Sequence, residues 1–161
     1  KELRAVVKGL DKDYQAVGPD ISYGDTTQYL VHCADIWRNA SAQMASLEAV
    51  GAFDYFHFLQ PNQYLTGSKV LTEEELVTAY EEGPLDYKTA VMKSYPLLRT
   101  KGMELKDLNI DFTDLSMLFK DEPRTVYQDK CCHFNQLGNE LIADRITAKI
   151  IEVLDSKPPR L

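Results

Sequence analysis

The sequence predicts an α/β fold organised on a parallel sheet. Short apolar or β-branched runs at 53–59, 108–112 and 124–127 have strand length and strand composition. Amphipathic stretches of helical period stand among them, and parallel strands need crossovers of that kind. The composition agrees, since 161 residues with 44% hydrophobic and 27% charged make one domain able to bury a core. Three short strands do not bury both faces of such a sheet. Further strands are therefore expected from the N-terminal region or from a preceding segment.

Residues 1–24 are a poorly defined lead-in. The stretch 3–10 fits a helix end or a strand, and Val17-Gly18-Pro19-Asp20 is a turn cluster. A long helix follows. Asp25 or Thr26 can cap it, and Tyr29, Leu30, Cys33, Ile36, Trp37, Met44, Leu47 and Val50 recur at three-to-four spacing. Gly51 fits the position after its end. The aromatic run 53–59 reads as a buried strand ended by Pro61, with Gln60, Asn62, Gln63 and Tyr64 in a polar loop beyond it.

Thr72-Glu73-Glu74-Glu75 is a capping box opening a short helix through Tyr80, which Gly83-Pro84 breaks. The next helix runs from Asp86 towards Lys101, with Val91, Met92, Tyr95 and Leu98 on one side. Pro96 should kink it and Gly102 stop it. The strand 108–112 turns out through Thr113-Asp114-Leu115, where Asp114 caps the turn. After 124–127 comes the best-marked helix. Leu137, Leu141, Ile142, Ile146, Ile150, Val153 and Leu154 form its apolar stripe, and Lys157-Pro158-Pro159 ends it.

A net charge of −7 with scattered lysines and arginines argues against a nucleic-acid surface. No apolar run approaches the ~20 residues that span a bilayer. The chain opens on Lys-Glu-Leu-Arg rather than Met, so a start further upstream is expected, and secreted or periplasmic placement stays open. Cys33, Cys131 and Cys132 do not make a disulfide framework, because adjacent cysteines strain the ring that would join them. A bond from one of the pair to Cys33 stays open. A zinc site built on Cys131, Cys132 and His133, with His32 and Cys33 at hand, is disfavoured, since structural zinc ligands come as separated Cys pairs. No metal or other cofactor is expected. His57 reads as a satisfied core or edge residue. Asn39-Ala40-Ser41 is a chance glycosylation sequon in mid-helix.

The chemistry concentrates in Asp129-Lys130-Cys131-Cys132-His133, between a β-branched run and the last helix. A carboxylate four residues before an imidazole is what a hydrolase uses to orient a general base. The acid accepts the Nδ1 proton and leaves Nε2 free to take one from a nucleophile.

Residues 129–143, with acid, His, a short polar stretch, Gly138-Asn139 and then Ile142-Ala143, resemble the last block of the SGNH/GDSL hydrolases. These are serine esterases and lipases. Phe56-His57-Phe58-Leu59-Gln60-Pro61-Asn62-Gln63-Tyr64 is similar to a strand and loop in a bacterial branch of that family. Lys69-Val70-Leu71-Thr72-Glu73-Glu74-Glu75 and Tyr95-Pro96-Leu97-Leu98 are similar to segments there too. The resemblance runs from about 25 to 154. It implies a flavodoxin-like three-layer α/β/α sandwich whose N-terminal strands are not in this chain, so that 1–161 is the C-terminal part of one such domain.

The family's nucleophile block, Gly-Asp-Ser, is not present. Tyr23-Gly24-Asp25-Thr26 carries Thr instead and reads as a helix cap. The oxyanion blocks are missing as well, and the family's usual acid position, three before the His, holds Lys130. What the resemblance implies is ester hydrolysis through an acyl-enzyme, with His133 as base and Asp129 as its orienting acid. The Ser nucleophile is expected from a preceding segment, so this chain alone is expected to be inactive. Gln60, Asn62, Gln63 and Tyr64, beyond a strand's carboxyl end, are the candidate substrate contacts. The implied partners are a small-molecule ester and that N-terminal segment, or a second copy covering the open sheet. The alternative is a non-catalytic α/β interaction domain derived from a degenerate hydrolase.

Overall fold

A computed structural model of the chain describes residues 21–51, 53–83 and 86–156. The expectations for 3–10, 17–20, Pro84 and 157–159 lie outside these residues. The described fold is α/β, with a parallel pair of strands at its centre. In chain order the elements are α1 (Thr26–Ser46), β1 (Phe56–Leu59), α2 (Glu73–Thr78), α3 (Asp86–Asp107), β2 (Asp111–Asp114) and α4 (Gln136–Ser156).

Helix α1 starts where a cap is available. The Asp25 carboxylate accepts the amide of Gln28 at 2.8 Å, which makes the Gly24-Asp25-Thr26 string a helix cap. Its last turn tightens into a 3-10 turn at Leu47–Ala49, and the amide of Gly51 closes on the carbonyl of Leu47. The expected apolar stripe is only partly used. Trp37 packs against the main core, whereas Ile36, Met44, Leu47 and Val50 are exposed.

Helix α3 corrects one expectation. It runs through Gly102 to Asp107, because Gly102 is a packing gap rather than a stop. A Cβ placed there would lie 2.1 Å from Cζ of Phe112, so the ring of β2 occupies the space a side chain would fill. The helix also continues through Pro96. The carbonyl of Met92 loses its helical donor there, on a residue exposed enough for water to replace it.

The real stop is a Schellman turn. Asn109 takes φ 60°, its amide donates to the carbonyl of Lys106, and the amide of Ile110 donates to that of Leu105. This turn consumes 108–110, so β2 begins at Asp111, later than the strand expected at 108–112.

The strands pair in parallel with Phe56 against Asp111 and Leu59 against Asp114. His57 and Phe112 are register partners, and both rings meet Trp37, at 4.4 and 6.0 Å between centroids. Helices α1 and α3 thus share one face of the sheet. Leu59, Tyr64, Val91, Tyr95, Leu105 and Phe112 form the core between them.

A second core lies under α4, where Leu137, Leu141 and Ile142 pack against Ala79, Phe119, Val126 and Tyr127. The third expected strand, 124–127, is not a strand. It makes a single antiparallel bridge, Tyr127 to Phe134. Its amides are taken by a side chain: Glu75 Oε1 accepts from Val126 at 2.8 Å and from Tyr127 at 3.0 Å. A segment whose donors are spent on a carboxylate has none left for a neighbouring strand.

Candidate functional site

The loop that carries the predicted acid and base is closed at its neck. The amide of Gln128 donates to the carbonyl of His133, and the amide of Asn135 to that of Val126, on either side of the Tyr127–Phe134 bridge. Asn135 then caps α4, its side-chain oxygen accepting from Gly138 at 2.9 Å while its amide nitrogen donates to the carbonyl of Thr125. Gly138 is required at this close approach, since a Cβ there would sit 2.8 Å from the carbonyl oxygen of Val126. The helix start, the neck and the loop are one unit.

Asp129 and His133 stand opposite one another just beyond this neck. His133 Nδ1 is 2.5 Å from Asp129 Oδ2. The other carboxylate oxygen accepts the amides of Cys131 at 2.9 Å and of His133 at 3.3 Å. Three donors on one carboxylate fix it. The His133 ring holds the Asp129 pKa below the usual range, and the two amides act in the same direction. A carboxylate on Nδ1 places the ring proton there and the lone pair on Nε2. The His133 side chain is 64% exposed, so the ring stands in solvent rather than in packing.

The polar loop after β1 reaches this acid–base loop. Gln63 Nε2 donates to the carbonyls of Ala79 at 3.0 Å and Asp129 at 3.1 Å, and the Tyr64 hydroxyl donates to the carbonyl of Lys130 at 3.2 Å. Gln60 Nε2 lies 3.7 Å from the sulfur of Cys132. Since Gln60 follows Leu59 directly, and the amide of Leu115 after β2 donates to the carbonyl of Leu59, the Asp129–His133 loop lies beyond the strands' carboxyl ends.

Sequence reasoning offered Gln60, Asn62, Gln63 and Tyr64 as substrate contacts. In the structure Gln60 alone is exposed. Asn62, Gln63 and Tyr64 are buried, and their hydrogen bonds run inward. Asn62 donates to the Tyr87 hydroxyl at 2.7 Å and accepts the amide of Tyr64 at 3.0 Å. These three brace the loop that bears the acid and base.

Residues that sequence reasoning missed complete the brace. Lys130 Nζ pairs with Glu81 at 2.5 Å and holds that carboxylate's pKa down. The Tyr95 hydroxyl donates to the carbonyl of Gln60 at 3.1 Å, and burial pushes its pKa, like that of Tyr87, well up. Glu75 forms the expected capping box, yet it also pairs with Lys69 at 3.2 Å, both side chains being fully buried. The only sequence signal for Glu75 was the box itself.

Elsewhere, Asp114 accepts the amide of Ser116 at 2.8 Å, the turn cap expected of it, and takes Arg99 Nε at 2.7 Å. His57 Nδ1 lies 2.6 Å from the Ser41 hydroxyl and 3.3 Å from that of Tyr55, a satisfied histidine in the core. The three cysteines are free. Among the described residues no group of three or more His, Cys, Asp or Glu is placed to hold a metal ion, and no helix is long and apolar enough to cross a membrane. No protein-family model matches this chain, and no curated protein or solved structure does either.

Proposed function

We propose that this chain supplies the acid–base half of an SGNH/GDSL-like serine ester hydrolase. Asp129 holds His133 in the tautomer with a free Nε2. His133 takes the proton of a serine hydroxyl as that oxygen attacks the ester carbonyl, and returns it to the leaving alcohol. The serine, the oxyanion donors and the remaining strands of a three-layer α/β/α sandwich come, in this reading, from a preceding segment outside the 161 residues. Deacylation repeats the cycle with water as nucleophile. The observation that carries the reading is the 2.5 Å contact from His133 Nδ1 to Asp129, on a braced loop beyond the strands' carboxyl ends. The resemblance of 129–143 to the family's last block supports it.

The test uses the protein with its preceding segment. A fluorophosphonate probe should label a serine in that segment, and hydrolysis of a short-chain aryl ester should fall about 10²–10⁴-fold in His133→Ala. Asp129→Asn should fall by a similar factor with the fold intact. A folded protein that neither labels nor hydrolyses esters would leave the non-catalytic interaction domain as the better account.

A further inference from the structure

Helix α1 has two apolar sides and spends one of them on the core, with Ala34 and Ser41 buried and Trp37 packed against the sheet. The second, roughly a third of a turn further round the helix, carries Tyr29, Ile36, Ala40 and Met44 and continues into Leu47 of the 3-10 turn. All five are exposed. In a chain with 27% charged residues, the outward face of a helix ordinarily carries lysines and glutamates. This one carries no Asp, Glu, Lys or Arg. The only two in the 21 residues of α1 turn to α3 instead, Asp35 to Lys101 at 2.9 Å and Arg38 to Glu104 at 3.2 Å. Apolar anchors with charge depleted around them have the composition of an interface core. The charge pattern also selects the occupant. Copies of a chain with net charge −7 repel one another. Across this face two copies meet without setting like charges together, and each offers the other an uncharged, apolar surface.

We propose that α1 pairs with α1 of a second copy of this chain across a two-fold axis at Ala40, forming a reversible antiparallel dimer. Ala40 has the smallest side chain on the stripe and stands near its middle, so the helices approach most closely there. Ile36 and Met44 lie about one turn to either side. Antiparallel pairing therefore sets Ile36 against Met44 of the second copy, and Cys33 against Leu47 of the second copy. It also opposes the two helix dipoles. The stripe is about 30 Å long and a helix about 10 Å wide. That is a few hundred Å² per copy, against the ~800 Å² per partner of a stable complex. The dimer is accordingly weak, with a dissociation constant on the order of tens of micromolar. It depends on α1 alone and holds whether or not the Asp129–His133 loop performs acyl transfer.

The test is analytical ultracentrifugation of the 161-residue chain over a micromolar-to-millimolar range. A monomer–dimer equilibrium is expected. It should tighten as salt is raised, because screening removes the repulsion between copies and the face has no ion pair to lose. Ile36→Lys and Met44→Glu each place an unpaired charge in the contact and should weaken the dimer about tenfold or more. Combined in one chain, the two charges face each other across the axis and should recover much of that loss. Both side chains are exposed in the monomer, so urea midpoints should stay near the parent's. In a Cys33→Ser, Cys131→Ser, Cys132→Ser background, Ala40→Cys should crosslink two copies on mild oxidation. Cys33 kept in that background should not, since it stands about 10 Å along each helix from the axis. A monomer at every concentration would overturn the proposal. Maleimide then tells where the face belongs: a reactive Ala40→Cys thiol leaves it to solvent, and a shielded one gives it to residues 1–20 of the same chain. A dimer that weakens with salt, or that ignores Ile36→Lys, would overturn the proposal equally.

Discussion

At Gly102 two effects of known size oppose each other. Alanine would raise helix propensity by about 1 kcal/mol. It would also drive a methyl into the ring of Phe112, whose Cζ and Cε1 lie 2.1 and 2.2 Å from the added carbon, and overpacking of a core costs about 1–3 kcal/mol. Gly102→Ala should therefore destabilise, measured as a lower urea midpoint. A rise would mean that the ring can move aside.

His57 makes the second prediction at this scale. Half-burial lowers its pKa from the ordinary 6.5, so between the two values the unfolded chain binds more protons than the native one. Stability from this group is fully present above about pH 6.5 and is lost as pH falls through the depressed native value. Urea midpoints should decline from pH 7 towards pH 5, and His57→Asn should flatten that decline. An equal slope in the variant would refute the assignment. Asp129 works lower on the scale. Its depressed pKa keeps its tie to the loop amides intact above the usual carboxylate value, and the tie is lost as pH falls through the lowered one.

Among the elements, helices were more legible than strands, and the reasons are local. The caps of α1 and α2 and the stripe of α4 rest on neighbouring residues, so the sequence displays them. The end of α3 does not: a glycine in mid-helix looks like a stop until a ring from elsewhere in the chain is seen to fill its space. The strand expected at 124–127 failed for a related reason. Its amides are claimed by Glu75, fifty-one and fifty-two residues earlier, and no local pattern announces so distant an acceptor.

The contact between Asp129 and His133 was legible because the two residues are four apart. The roles of Asn62, Gln63 and Tyr64 were not, because their partners at Tyr87, Asp129 and Lys130 are remote in sequence. Glu75 then joins α2 to the segment leading into the Asp129–His133 loop, and removing it would leave buried Lys69 with only carbonyl acceptors and two backbone amides without their acceptor. Glu75→Ala should cost about 3–5 kcal/mol or prevent folding. Glu75→Gln keeps the shape but removes the charge facing Lys69, and should fall between the two. Chemical denaturation of all three decides it, and a Glu75→Gln variant as stable as the parent would show that the ion pair contributes nothing.

The whole molecule shows a fold with one well-covered sheet face and much apolar surface outside it. Ile36 and Met44 on α1, Leu47 in the 3-10 turn after it and Met103 on α3 are each about half exposed, and Phe56 and Phe58 across the sheet from His57 are only partly covered. Surface of this kind is usual where another chain segment or a second copy belongs. The isolated chain should bind an environment-sensitive dye and self-associate in sedimentation experiments, and both signals should fall when the preceding segment is present. A dye-silent monomer would count against the proposed division of the domain.

The bridge between Tyr127 and Phe134 has a further consequence for how this loop can vary. Because both sides of the neck are pinned, Asp129 and His133 keep their separation whatever side chains occupy the tip, but not if the tip gains or loses a residue. The four-residue interval closes Asp129 onto the imidazole with the backbone at a positive φ of 103° at Cys132. Geometry at the hinge, rather than arithmetic along the chain, decides which acid reaches the imidazole.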